Sequence, residues 1–161
     1  MGALPLLALG HLDSSARSLV QRVHSLLPQE EQPYAVGGFV RDALLGRPSH
    51  DLDLTVQGNA LLVARRLADA LKGAFIPLDE QHQVARVAFQ HEGSPWHVDL
   101  ASMQGDLLQD LARRDFTVDA MAVPLGAFLG PDWGPDWVAH IIDPFCGRQD
   151  SERRLIRQVS P

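Results

Sequence analysis

An α/β domain on a mixed sheet is the fold this sequence predicts. Three observations carry that expectation. Apolar residues recur at helical spacing in some stretches, alternate with polar residues in others, and the two kinds of stretch interleave along the chain. The 161 residues suffice for one domain with a real core and hardly for two. No internal repeat or low-complexity segment interrupts the pattern.

The elements follow in order. Asp13 or Ser14 can cap a helix carrying Leu19, Val20, Val23, Leu26 and Leu27, which Pro28 ends. Residues 1–30 are therefore expected to form an N-terminal helical segment packed on a main domain spanning 31–150. Tyr34–Val36 reads as a short strand running into Gly37 and Gly38, and Phe39–Leu45 as a helix stopped by Gly46 and Pro48. In Asp51–Val56, Leu52, Leu54 and Val56 alternate with Asp51, Asp53 and Thr55, giving a strand with one apolar and one polar face. Gly58 breaks the chain before an amphipathic helix marked by Leu61, Leu62, Ala64, Leu67, Ala68 and Leu71 and closed by Gly73. Three strands are expected next, at Ala74–Pro77, Val84–Phe89 and Trp96–Leu100, with a hairpin turn at Glu92–Gly93. Leu107–Leu111 suggests a short helix. A loop rich in Gly, Pro and Trp over Gly126–Trp137, a strand at Val138–Ile142, and a basic helix or tail over Ser151–Val159 complete the chain.

Hydrophobic content of 45% and charged content of 21% are ordinary for a globular protein. Cys146 is the single cysteine, which excludes an internal disulfide framework and fits a reducing cytosol. Met1–Gly10 is apolar but lacks the basic start and long apolar core of a signal peptide, and no apolar run is long enough to span a bilayer. A cytoplasmic location is expected. The net charge of −6 argues against broad electrostatic capture of nucleic acid by these residues. Lys72 is the only lysine; the other cations are arginines, whose planar fork suits phosphate oxygens.

The polar face of Asp51–Val56 carries the chemistry. Asp51 and Asp53 point the same way, and two carboxylates that close repel each other unless a cation sits between them. Mg²⁺ fills that role with oxygen ligands. A D-x-D pair alone also fits exposed aspartates at a strand end, and the glycines upstream shift the balance. Gly37 and Gly38, between a strand and a helix, let backbone N–H groups approach phosphate at the positive end of that helix. Arg41, one turn later, can pair with phosphate, with Asp42 or with Asp51. Asp99 would complete a three-carboxylate cluster on a strand beside Asp51–Val56, or face solvent on an edge strand. His97 shares its face and reads as a surface residue, since Mg²⁺ prefers oxygen. Arg113-Arg114-Asp115 is a basic patch beside an acid, which spacing alone favours reading as a helix start capped by Asp115 with the arginines solvated. His50, His82, His91 and His140 show no zinc spacing, and Cys146 reads as a structural or surface thiol. Trp133 and Trp137 suit base stacking or packing onto the core. The pattern as a whole points to phosphoryl or nucleotidyl transfer.

Four motifs, in order, resemble those of the class II tRNA nucleotidyltransferase and poly(A) polymerase family. They are Gly37-Gly38-Phe39-Val40-Arg41-Asp42-Ala43-Leu44-Leu45-Gly46, then Asp51-Leu52-Asp53-Leu54, then Arg113-Arg114-Asp115-Phe116-Thr117-Val118-Asp119-Ala120-Met121-Ala122, then Asp143-Pro144-Phe145-Cys146-Gly147. The resemblance implies a polymerase-β-like nucleotidyltransferase head, a small mixed β-sheet backed by helices. It implies that Asp51 and Asp53 hold two Mg²⁺ ions, for which Mn²⁺ can substitute, with Asp99 as the third, more variable carboxylate. Gly37, Gly38 and Arg41 would contact the triphosphate of ATP or CTP, and Arg113, Arg114 and Asp115 its phosphate and ribose. The implied reaction is two-metal addition of CMP or AMP to the 3′ end of tRNA or another RNA, without a template and without a covalent enzyme intermediate. CCA-adding, A-adding and poly(A)-polymerase activities share these motifs. A nucleotidyltransferase acting on a protein or small molecule, and a non-catalytic nucleotide-binding module, are the other readings.

The chain departs from the family at four places. Asp119 stands where asparagine is usual, and His50 where a lysine often precedes the D-x-D pair. The stretch from Asp99 to Asp110 is short, with Met103 near the place of a loop arginine. Residues 151–161 read as the start of a neck; the neck's base-selecting E-D-x-x-R motif and the body and tail that bind RNA in relatives would lie beyond Pro161, which reconciles an acidic head with an RNA substrate.

Overall fold

The computed structural model describes residues 12–130 and 135–160; the sequence readings for Met1–Gly10 and Trp133 fall outside them. Helix α1 spans Ser14–Leu26, and of its two candidate caps Asp13 is the one used: its side chain accepts the Ala16 N–H at 2.7 Å. Strand β1 is Tyr34–Val36 and helix α2 Gly37–Leu44, so the glycine pair forms the first turn of the helix. Strand β2 is Asp51–Val56. Helix α3, Ala60–Leu71, is capped by Asn59 and ends at Lys72 in the left-handed region. Strands β3 (Ala74–Asp79), β4 (Val84–His91) and β5 (Ser94–Ser102) follow, then α4 (Leu107–Ala112), β6 (Ala122–Pro124) and α5 (Gly147–Arg153).

The six strands form one mixed sheet in the order β3-β4-β5-β2-β1-β6. Among the described residues its only parallel neighbours are β2 and β5. The alternation read in β2 holds over its first half: Leu52, Leu54 and Val56 are buried, Asp51 is exposed and Asp53 half-buried, while Thr55 of the polar face is buried as well. The three apolar residues join Val87 of β4 and Val98 and Leu100 of β5 in a core shared with Leu19, Val20 and Val23 of α1 and Val63, Leu67 and Leu71 of α3. Helix α1 is therefore part of the main core. Helices α1 and α3 cover one face of the sheet; on the other, Leu111 of α4 packs against Val36 and Ala122, and Asp51, Asp53, Arg86, His97 and Asp99 emerge beside it.

Three local expectations need correction. Val138–Ile142 is no strand: Pro135–His140 is a 3₁₀ helix, and only Ile142 bridges to Ala122. An apolar run that short has no period of its own, and Trp137 decides its shape by burying itself against Phe128, with ring centroids 4.8 Å apart. The expected loop contains a second 3₁₀ helix, Leu125–Leu129, whose Leu125 and Phe128 are buried. The basic helix begins earlier than Ser151 and stops at Arg154, at φ +56°; beyond it the chain runs back along the Arg113–Thr117 loop, where Phe116 bridges Gln158.

Candidate active site

Strand register decides which carboxylates meet. Asp53 of β2 stands opposite Asp99 of β5, and Asp51 opposite His97. All lie on the face away from the helical core, so Asp99 takes the inner of the two places left open by the sequence. The first turn of α2 closes over this row. A Cβ added to Gly37 would sit 3.6 Å from Asp53 Oδ2 and 3.2 Å from Arg114 Nη1, and one added to Gly38 would sit 3.8 Å from the same carboxylate oxygen. Gly37 also adopts φ +63°, where a side chain is strained. The backbone thus favours glycine at Gly37, and an added Cβ would press on the Arg114 guanidinium.

Asp53 is the electrostatic centre. Its pKa is raised to about 6, first by burial and then by Asp99 and, less strongly, Asp51; the Arg114 guanidinium and the Phe39 N–H pull it down without prevailing. A half-buried carboxylate pressed by two others is a site short of positive charge. The donors are hard oxygens, and Mg²⁺ is held by one or two carboxylates together with substrate phosphates, so Asp51 and Asp53 fit that ion. Among the described residues, no three His, Cys, Asp or Glu side chains already cluster as a metal cage. Asp51 Oδ1 lies 3.1 Å from His97 Nδ1, and both oxygens of Asp99 accept from Arg86.

The arginines are engaged with acids of the chain itself. Arg41 Nη1 donates to Asp119 at 2.7 Å and its Nε to Asp42 at 3.2 Å. Of the three partners considered for Arg41 from sequence, Asp42 is present, Asp51 is replaced by the unforeseen Asp119, and the phosphate role stays a proposal. Arg113 and Arg114 do not open a helix; they follow α4. Both turn toward buried Asp110, at 3.0 Å and 3.8 Å respectively. Arg114 Nε is buried with no acceptor among the described residues. Asp115 is exposed and caps nothing.

Sequence reasoning missed the scaffold behind this loop. Buried Asp150 accepts the Thr117 hydroxyl at 2.6 Å and Arg157 Nε at 2.9 Å, and these partners hold its carboxyl below the usual range. Thr117 N–H donates to the Arg157 carbonyl and Val159 N–H to that of Asp115, strapping the arginine loop to the chain end. A Cβ on Gly147 would strike the Thr117 carbonyl, so the D-P-F-C-G turn packs against the same loop. His50 stacks on Trp96, with centroids 5.0 Å apart.

Residues 33–106 match the family model described as the poly A polymerase head domain. A CC-adding tRNA nucleotidyltransferase of Geobacter sulfurreducens is 40% identical over 126 residues, covering 78% of this chain and 26% of that protein. Another from Synechocystis is 39% identical over 139 residues, covering 84% and 29%. The chain belongs to the class II tRNA nucleotidyltransferase and poly(A) polymerase family. As a head domain of that family it superimposes on the Thermotoga maritima CCA-adding enzyme complexed with tRNA at a TM-score of 0.71 and 30% identity, over 95% of this chain and 35% of that one. A CCA-adding enzyme in complex with ATP gives 0.72 and 32%, over 92% and 34%. The mixed six-stranded sheet with its helices is thus the fold of these enzymes' heads. The chain spans about a quarter to a third of the length of the curated relatives it matches.

Proposed function

We propose that this domain is the catalytic head of a template-independent nucleotidyltransferase that transfers CMP or AMP from CTP or ATP to the 3′ end of tRNA. The observation that carries the reading is Asp53, a carboxylate pushed up to about 6 under the glycine turn, with Asp51 and Asp99 on the same face. Asp51 and Asp53 would hold Mg²⁺, with Asp99 as the third carboxylate and Mn²⁺ as a substitute. Bound there, the two ions would supply charge neutralisation of the triphosphate and a lowered pKa for the attacking 3′-hydroxyl.

The chain's own groups do the rest. The backbone of Gly37 and Gly38, at the start of α2, receives phosphate oxygens that a side chain would exclude. Arg41 and Arg114 flank that turn and stabilise negative charge developing on the phosphoryl group. Arg113 and Asp115 are the exposed groups within reach of phosphate and ribose. Positioning of the nucleotide against the RNA end supplies most of the remaining acceleration. Two relatives that add CC favour cytidine transfer over A-adding and over poly(A) synthesis.

Calorimetric titration with CTP and with ATP, with and without Mg²⁺, tests the site directly. Metal-dependent binding, lost in Asp51→Ala/Asp53→Ala, is the expected result; equal binding by that folded double variant overturns the reading. CMP incorporation into tRNA lacking its 3′ end, without incorporation from ATP alone, would establish the cytidine preference.

A further inference from the structure

Arg86 occupies a place that nothing in the proposed reaction explains. It projects from β4 opposite Asp99 of β5, which stands opposite Asp53 of β2, so the three side chains form one row across three neighbouring strands. Arg86 Nε donates to Asp99 Oδ1 at 2.8 Å and Nη2 to Oδ2 at 2.9 Å. Two parallel bonds from one guanidinium are the strongest form of this pairing. The side chains are 34% and 23% exposed, so water screens the pair only in part. Asp51 and Asp53 add to the field that keeps Arg86 charged.

We propose that Arg86 is a positioning residue that competes with the divalent cation for Asp99. The inference rests on the reading of Asp51 and Asp53 as the metal pair. In the metal-free domain the fork offsets one of three neighbouring carboxylates and engages both oxygens of Asp99. A cation seated at Asp51 and Asp53 gains Asp99 as a partner only when Arg86 yields an arm of the fork. The third carboxylate is therefore held in reserve, and Arg86 sets how much it contributes. A cross-strand ion pair serving only to join β4 to β5 would have no such coupling to metal.

The test is a double-mutant cycle read by Mn²⁺ binding, using calorimetry of wild-type, Arg86→Gln, Asp99→Asn and the combined protein. Arg86→Gln is expected to bind Mn²⁺ roughly fivefold or more tightly than wild type, and the gain is expected to vanish in the Asp99→Asn background. Arg86→Lys, which keeps the charge but loses the fork, is expected to fall between. Thermal melting in EDTA provides the second readout: Arg86→Gln melts lower than wild type and recovers more on adding Mn²⁺. An unchanged or weaker Mn²⁺ affinity in Arg86→Gln overturns the proposal, and so does an equal gain with Asp99 replaced, which would mean bulk charge alone. Asp51→Asn/Asp53→Asn separates the two levels. If that protein binds Mn²⁺ like wild type, the metal pair itself is wrong; if it loses binding while the Arg86 cycle shows no coupling, only the present inference fails. Absence of Mn²⁺ binding in every variant counts against both.

Discussion

On one side of Asp53 stand carboxylates fixed by strand register; on the other stand arginines fixed by loops. Asp51, Asp53 and Asp99 owe their places to the ladder between β2 and β5, which holds like charges together whatever their repulsion. Arg41 is held by Asp119 of the loop that follows Arg114, and Arg113 and Arg114 by buried Asp110 of α4, acids that offset the charge a phosphate would otherwise meet. The sheet face is underneutralised and invites a cation. The loop side is already largely paired, so an incoming phosphate meets arginines whose charge internal acids partly offset. The first arrangement costs stability, the second costs affinity.

The contrast breaks most completely on the sheet face. Replacing both Asp51 and Asp53 by alanine should weaken Mg²⁺-dependent CTP binding by roughly a hundredfold or more, measured calorimetrically, since even the outer partners of metal ligands cost ten- to hundredfold. Next comes the stability lost by burying Asp53 beside Asp99 and Asp51. Asp53 sits at about 6 in the folded domain against an ordinary 3.8, so between those values the folded state binds more protons than the unfolded one. Metal-free stability is therefore greatest below pH ~4 as far as this group is concerned, and falls as pH rises through about 6, by at most roughly 3 kcal/mol. Urea midpoints in EDTA should show that slope, and Asp53→Asn should flatten it.

The loop side responds more gently and with the opposite sign for binding. Asp119→Asn loosens the hold on Arg41 and should tighten nucleotide binding about fivefold, near 1 kcal/mol. A decrease would mean that Asp119 aims Arg41 instead of withholding it. The smallest effect lies behind the arginine loop. Cys146 adopts φ +61°, so Cys146→Gly relieves backbone strain and should raise stability by about 0.5–1 kcal/mol in denaturant titration.

Strand parity made the sheet face legible in advance. Leu52, Leu54 and Val56 fixed the buried side of β2, which left Asp51 and Asp53 no other direction to point. Even Arg86 was within reach. Glu92 and Gly93, at φ +50° and +79°, make a two-residue turn that pairs His91 with Ser94, and counting outward along both strands brings Arg86 opposite Asp99. The loop side had no such rule. Asp119 meets Arg41 across 78 positions of sequence, through a loop whose path depends on Asp150, Thr117 and Arg157 packing together, and no local pattern encodes that encounter. Val138–Ile142 failed for a related reason: a five-residue apolar run takes its shape from whatever large ring anchors it, here Trp137.

The single parallel pairing also has a kinetic side. Strands β3, β4 and β5 are neighbours in sequence and can zip as hairpins, whereas β2 reaches β5 only after α3 and both hairpin strands have been accommodated. Contacts between residues so distant in the chain form late, because loop closure must precede them. On that ordering the row of aspartates would assemble late in folding, where its repulsion would add to the barrier. On the proposed reading, a divalent cation seated at Asp51 and Asp53, or a drop in pH, would lower that barrier, so that one ion would serve both the site's chemistry and the domain's assembly.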